Sequence, residues 1–542
     1  MDSMLSRIEN LNEIGIALSG EQDVGRILER ILIGAKELTR ADGGTLYLLD
    51  ADSKELHFEL ISNDTLGIEI RRADHDQTRF PPLPLYIDDR PNHSAVVTYA
   101  VLNDMTINIP DLSEAGDYDV SGAKEFDEKT GYHTRSLLTV PMKNHENDVI
   151  GVLQLVNARS AEDGTVGPFT EFEEQLAESL ASQAAVALTQ RRLIGDLRHL
   201  FESFIRLIAN AIDEKSPYTG GHCRRVPVLT LMLADAANRA DYGPLARFTM
   251  SDADRYELEI AGWLHDCGKV TTPEYVVDKA TKLETIYDRI ELVEARLEIL
   301  RRDAEIAALR RRIETLQPGS AGDVGPDEQY DREHEALARD REVLRRVNMG
   351  CERMREQDRD DINRLAARSW TDMDGRSCPL LTPEEVYNLR IPKGTLTPEE
   401  REIINHHIVA TIRMLESLPF PKQLRNVPEY AGGHHERMDG LGYPRGLTRE
   451  EMSVPARIMA IADIFEALSA QDRPYKPGKP LSECLGIMGQ MMVDNHIDPD
   501  LFEIFVRDEV YLDYARRFLD PEQIDQIDFE TIPGFTARRS LA

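Results

Sequence analysis

The chain has few cysteines, five in 542 residues, and Cys223, Cys267, Cys351, Cys378 and Cys484 share no paired spacing. That argues against a disulfide framework and a thiolate zinc site, and predicts a reducing, cytoplasmic compartment. No run approaches the roughly 20 apolar residues that cross a bilayer. The opening MDSMLSRIENLNEIG lacks the basic start and apolar core of a secretory signal, so no membrane is expected as a partner. Positive charge is also in deficit, with 64 Lys and Arg against 97 Asp and Glu, a net charge of -33. General binding to nucleic acid needs a basic face, which excludes nucleic acid as an expected partner. A small anionic substrate then requires a pocket with its own cations or metals. Histidine numbers only 14, yet two stand side by side in HHERMDGLGYP, residues 434–444.

What is present is a soluble globular composition, 41% apolar and 30% charged, long enough for about three domains. Residues 1–170 read as mixed α/β. Val24, Ile27, Leu28 and Ile31 mark one helix face, and TLYLL and LHFELI are strand-like runs joined by DADSKE. SLLTVPMK and DVIGVLQLVN repeat that pattern around NHEN, and residues 64–135 are expected to supply long loops over a sheet face. From 171 to 212 one helical pattern carries Leu193, Leu197, Leu200, Phe204, Leu207 and Ala211 in a heptad seam. Such a seam suits a parallel coiled coil and hence a homodimer. Residues 284–390 read as an antiparallel helical hairpin. Leu283, Ile286, Ile290, Val293, Leu297 and Leu300 form one seam, and Leu337, Leu344, Val347, Cys351 and Met354 the other, with QPGSAGDVGPD as the turn.

The chemistry-bearing residues lie on either side of that hairpin. HDCGK (265–269) follows the apolar helix YELEIAGWL, so an imidazole and a carboxylate arrive together, with Lys269 three residues on. His222 lies upstream in TGGHCRRV; His406 and His407, His434 and His435, and Asp463 in IMAIADIFEAL follow downstream. A carboxylate inside that apolar helix is costly to bury without a partner, and a metal supplies one. Mixed imidazole and carboxylate donors on several helices favour Fe or Mn, with Zn and Ni chemically possible.

Two resemblances follow from these stretches. GVLQLVNA with FTEFEEQLAESLASQAAVAL resembles a GAF domain, a small-molecule sensing module whose ligand here is unknown. HDCGK, the complete HHERMDGLGYP, VPARIMAIADIFEAL and DRPYK resemble the HD-GYP family of metal-dependent phosphohydrolases. The fold so implied is an α+β GAF domain, an antiparallel sheet with helices, followed by an all-α HD-GYP domain carrying the inserted helical hairpin. The divisions are 1–170 sensor, 171–212 connecting helix, 213–283 and 391–542 the two parts of the HD-GYP domain with the C-terminal tail, and 284–390 insert. The activity implied is hydrolysis of cyclic di-GMP, regulated by the GAF domain; members of the family differ in whether the product is linear pGpG or GMP, and the sequence does not decide between them. The alternatives are another cyclic dinucleotide such as cyclic GMP-AMP, or a non-catalytic metal-binding adaptor. The resemblance assigns His222, His265, Asp266 and Asp463 to one divalent ion. It assigns His407, His434 and His435, with Asp266 shared, to a second. It prefers His407 to His406, although the family's usual following proline is Ile408 here. Asp266 and Lys269 take catalytic roles, Lys269 at the leaving ribose oxygen; Arg473, Lys476 and Tyr443 contact substrate. Some members hold a third metal through a glutamate four residues before the first histidine. Tyr218 stands there, so two metals are expected.

Overall fold

A computed structural model describes residues 2–21, 23–50, 52–72, 81–215, 221–316, 327–351, 353–471 and 478–535. The chain divides into two units, 1–200 and 201–542.

The first unit opens with α1 (Asp2–Gly20) and α2 (Val24–Thr39). Asp23 caps α2 by accepting the Arg26 N–H, and Ile27, Leu28 and Ile31 are buried, while Val24 is exposed. Next come β1 (Ala41–Asp50), β2 (Glu55–Asn63) and β3 (Ile68–Arg71), then the short β4 (Leu83–Pro84), β5 (Tyr86–Ile87) and β6 (Arg90–Pro91). After α3 (Val96–Asn103), β7 (Ile107–Ile109) and α4 (Ser121–Thr130), the unit continues with β8 (Leu137–Lys143), β9 (Val149–Arg159) and β10 (Val166–Gly167). The sheet order is β3-β2-β1-β9-β8-β7 and every pairing in it is antiparallel. Alternate residues of β1, β8 and β9, such as Leu46, Val140 and Leu153, pack with α2 and with the start of α5 (Glu171–Lys215) in one core. The described residues of 64–135 hold more regular structure than long loops. Val96 and Ala100 of α3 pack with Ile107, Ile109 and Leu137 in a second apolar cluster.

The second unit is mostly helical. In order it holds α6 (His222–Arg239), α7 (Asp252–Leu264), α8 (Glu274–Val277), α9 (Ile290–Thr315), α10 (Glu328–Asn348) and α11 (Glu356–Ala366). A β-ribbon follows, β11 (Ser369–Thr371) with β12 (Ser377–Pro379). Then come α12 (Pro383–Leu389), α13 (Pro398–Glu416), α14 (Val427–Gly432), α15 (Val454–Ser469), α16 (Leu481–Val493), α17 (Pro499–Arg507) and α18 (Val510–Phe518). One apolar core joins α6, α7, α15, α16, α17 and α18 through residues such as Leu229, Leu258, Ile461, Leu485, Phe502 and Tyr514.

The helices α9 and α10 run antiparallel. Glu294 near the start of α9 pairs with Arg341 and Arg345 near the end of α10, and Arg311 pairs with Asp327 at the other end. The seams differ from expectation at their margins. Ile286 precedes α9 and is 95% exposed, and Cys351 and Met354 lie beyond the end of α10. Buried Asn348 ends that helix by accepting the Leu283 N–H, while its own carbonyl accepts from Lys282. The rest of 349–390 is α11, the β-ribbon and α12, with a separate small core built on Leu344, Ile362, Leu365, Leu380 and Leu389. The two ends of this excursion meet: Thr395 donates to the Lys279 carbonyl at 2.9 Å, and buried Lys279 bonds both Glu400 oxygens at 2.7–2.8 Å.

Candidate metal centre

Helix ends place most of the candidate ligands. A capping box between Ser251 and Asp254 starts α7, which ends against His265, its C-cap residue. His222 opens α6 behind Gly221, whose φ of +89° suits a residue without a Cβ. A Thr397–Glu400 box starts α13, which carries His407 in its interior, and Ser453 caps α15, which carries Asp463. His434 and His435 follow the end of α14.

The side chains form two adjoining clusters. The donor atoms of His222, His265 and Asp266 lie within 4.8 Å of one another, as do those of His407, His434 and His435. Asp463 joins the first cluster, its Oδ1 3.3 Å from His222 Nε2 and 3.8 Å from His265 Nε2. Asp266 stands between them. Its Oδ2 lies 3.3 Å from His222 Nε2 and 3.4 Å from His265 Nε2, and its Oδ1 lies 3.2 Å from His407 Nε2. His407 is buried, whereas its neighbour His406 is exposed. Lys269 Nζ is 2.5 Å from Asp266 Oδ2.

Hydrogen bonding aims the imidazoles. His265, His407 and His434 each approach a carbonyl three residues back, Gly262, Ile404 and Ala431, through Nδ1 at 2.5–2.7 Å. A carbonyl only accepts, so Nδ1 carries the proton and Nε2 faces the centre as a bare donor. His222 does the same against the buried Glu466 carboxylate, which Arg225 holds from its other side. This is the orientation that metal-ligating histidines adopt. Two atoms then lack any hydrogen bond despite full burial, Asp266 Oδ1 and His434 Nε2. The facing ring nitrogens of His222 and His265 are 3.3 Å apart and those of His407 and His435 3.2 Å. Such bare, converging acceptors fit divalent cations of the Fe or Mn kind.

The electrostatics divide that donor set. Burial raises the Asp266 and Asp463 carboxyls, but neighbouring charge outweighs it: Lys269 and His265 hold Asp266 well below the carboxylate range, and His222 and His265 hold Asp463 there. Burial pushes His434 down to about 4 and His435 well below its ordinary value, so both are neutral at pH 7. Burial also lowers His222 and His265, but the carboxylates of Glu466, Asp266 and Asp463 outweigh it and raise both, His265 to about 9, so a cation binding these two would displace their protons.

The GLGYP loop is fixed beside the second cluster. The Tyr443 ring stacks on His435 with centroids 4.8 Å apart, its N–H reaches the His435 carbonyl at 3.2 Å, and burial pushes its phenol up to about 12. The acid of HHE has a distinct part: buried Glu436 accepts the N–H groups of Arg445 and Leu447 and so ties the loop down. Arg473, Lys476 and Tyr218 lie outside the described residues. Sequence reasoning passed over Glu436, and also Glu466 and Arg225. Glu466 had a legible signal, a second acid three residues after Asp463 and on the same face of an otherwise apolar helix.

Comparison with known proteins finds one family match in each unit. Residues 23–188 match the GAF domain family and residues 376–501 the HD domain family. The chain therefore carries a GAF domain and an HD domain. Over 128 residues it is 39% identical to 3'3'-cGAMP-specific phosphodiesterase 1 of Vibrio cholerae, covering 24% of this chain and 28% of that protein. Over 130 residues it is 38% identical to a cyclic di-GMP phosphodiesterase of Thermotoga maritima, covering 24% and 34%. The chain thus spans about a third or less of these relatives. Among solved structures, the GAF domain of an Acinetobacter phosphoenolpyruvate-protein phosphotransferase aligns with 35% of this chain and 98% of its own, at 15% identity and a TM-score of 0.26.

Proposed function

We propose that the chain is a metal-dependent phosphodiesterase that opens a cyclic dinucleotide, cyclic di-GMP, to linear pGpG under control of its GAF domain, with further cleavage to GMP left open. The observation that carries this reading is the position of Asp266, one carboxylate oxygen toward each histidine cluster. His222, His265, Asp266 and Asp463 hold one divalent ion, and Asp266, His407, His434 and His435 a second, with Fe or Mn as the metals. Such a pair acidifies a water and offsets phosphodiester charge. The chain's own groups do the rest. Neutral His434 and His435 and ionised Asp266 and Asp463 present lone pairs at pH 7, needing no proton loss to bind. Lys269, three residues from Asp266, is the one ammonium bonded to the cluster among the described residues. It stabilises or protonates the leaving ribose oxygen. Tyr443, stacked on His435, offers a flat face beside the reacting phosphate, and Arg473 and Lys476 take the second phosphate.

The remaining assignments belong to the same reading. The sensor is 1–170, the hydrolytic domain 213–283 with 391–542, and the hairpin insert 284–390 a regulatory or assembly element. Leu193, Leu197, Leu200, Phe204 and Leu207 of α5 are 52–67% exposed, which supports pairing of residues 171–212 with a second copy as a coiled coil. An unidentified small molecule binds the GAF domain. No described helix is long and apolar enough to cross a membrane, and the five cysteines are free, which supports a cytoplasmic location. A second substrate, 3'3'-cGAMP, is favoured by the name of the Vibrio relative. Incubation of Mn2+-loaded protein with a panel of cyclic dinucleotides tests both. Preference for cyclic di-GMP supports the first reading, preference for 3'3'-cGAMP the second, and no turnover of either removes the enzyme reading.

A further inference from the structure

We propose that the last turn of α5 is a positioning clamp for the metal centre, through Asp213 and Lys215. Asp213 is buried, and its two oxygens accept the backbone N–H groups on either side of His222: Gly221 at 3.0 Å and Cys223 at 3.3 Å. Two residues on, Lys215 sends its ammonium to the carbonyls of Lys269, Val270 and Thr272 at 3.3, 2.6 and 2.7 Å. Those carbonyls close the short turn that begins at Asp266 and carries Lys269. One helical turn therefore grips both segments that bring His222 and Asp266 together, although 43 residues separate His222 from His265.

The chemistry of the grip is specific. An ammonium has three donors, and here three carbonyls take them. A carboxylate at the opening of a helix satisfies N–H groups that have no intrahelical partner. Among the described residues their hydrogen bonds run to backbone groups, so each acts through the backbone that presents a ligand. The same α5 contributes Leu176, Ala177 and Leu180 to the sheet-packed core of the GAF unit. A change in the last turn of α5 thus reaches the metal ligands through two hydrogen-bonded backbone segments, and this is the positioning the clamp supplies. The inference rests on the reading of this cluster as a hydrolytic metal centre.

The test uses the full chain, stripped of metal, with Mn2+ as the probe. Lys215→Met removes the ammonium and keeps most of the stem; Asp213→Asn removes the charge in nearly the same shape. Both are expected to weaken Mn2+ binding in calorimetric titration about tenfold or more, while the melting temperature of the metal-free protein stays near that of the parent. With cyclic di-GMP, kcat falls and KM moves little. Lys215→Arg, which keeps a cation at that turn, restores Mn2+ affinity, and Glu214→Gln, an exposed neighbour, leaves it unchanged. Parental Mn2+ affinity in Lys215→Met, or a loss of affinity that appears only with a matching fall in melting temperature, overturns the clamp. If the parent chain hydrolyses no cyclic dinucleotide, the functional reading fails, and the Mn2+ titration still decides the clamp.

Discussion

Gly268→Ala is a one-methyl perturbation aimed at the junction of the two ligand clusters. Gly268 sits two residues after Asp266, where the HDCGK turn crosses α13. Its N–H donates to Thr411 Oγ1 at 2.9 Å. A Cβ at 268 would lie 2.0 Å from the carbonyl oxygen of His407, 2.6 Å from the Thr411 nitrogen and 2.7 Å from Thr411 Oγ1. Ordinary contact begins near 3.4 Å, so the turn and α13 must part by about 1.4 Å. Two of the three atoms are backbone, so no rotamer change relieves the clash. Overpacking of this kind costs about 1–3 kcal/mol, and the upper end applies here. For a unit of this size that corresponds to a fall in melting temperature of about 4 °C. The separation opens the 3.2 Å approach of Asp266 to His407, on which a shared carboxylate depends. A misplacement of about 1 Å can cost roughly 100-fold in rate. The assay is thermal unfolding of the metal-free protein with elemental analysis of the metal-reconstituted one. Parental melting together with full metal content would refute the packing argument, and with it the claim that this glycine holds the clusters in register.

Asp266→Ala should remove metal from both clusters at once and abolish hydrolysis; full metal occupancy in that variant would show that the carboxylate is not shared. Replacing residues 286–390 with a short linker should leave measurable basal hydrolysis, since the chain ends of the insert already meet at Lys279 and Thr395. Complete loss of activity with metal content intact would place the insert in the active site. Within the insert, burial raises the Glu385 carboxyl, but the two-pronged contact with Arg296 outweighs it and holds it below its ordinary 4.5. A depressed folded-state value means that this stabilisation is present above about pH 4.5 and is lost as the pH falls through the folded value. Glu385→Gln should therefore flatten the loss of melting temperature as the pH falls below about 4.5, and an unchanged acid slope would contradict the pairing.

The strands around DADSKE and NHEN were legible because alternation and turn residues act locally, and the register of β1 with β2 and of β8 with β9 follows from them. Residues 64–135 were less legible. Helix α4 buries no side chain fully and so shows no apolar period to read. In the insert the apolar seams were visible, but the end of α10 was not. A buried asparagine bonded to a segment 65 residues away terminates it, and no local pattern encodes such a partner. At the metal centre the residue types and their order were plain in HDCGK, HHERMDGLGYP and IMAIADIFEAL. Their aim was not, because it depends on carbonyls at helix ends and on the Glu466 carboxylate 244 residues from His222. Glu436 illustrates the same limit: its part is to hold two backbone N–H groups of its own loop, nine and eleven residues on, which no local pattern announces.

The central claim, that these clusters form one hydrolytic metal centre, is tested most directly on a single preparation. Metal-free protein is titrated with Mn2+ or, anaerobically, Fe2+. Metal per chain and linear product from cyclic di-GMP are measured at each step, by elemental analysis and chromatography. The account predicts two ions per chain at saturation, no product from the metal-free protein, and product that rises as the second ion is taken up. Saturation with two ions and no linear pGpG or GMP at any step would contradict it.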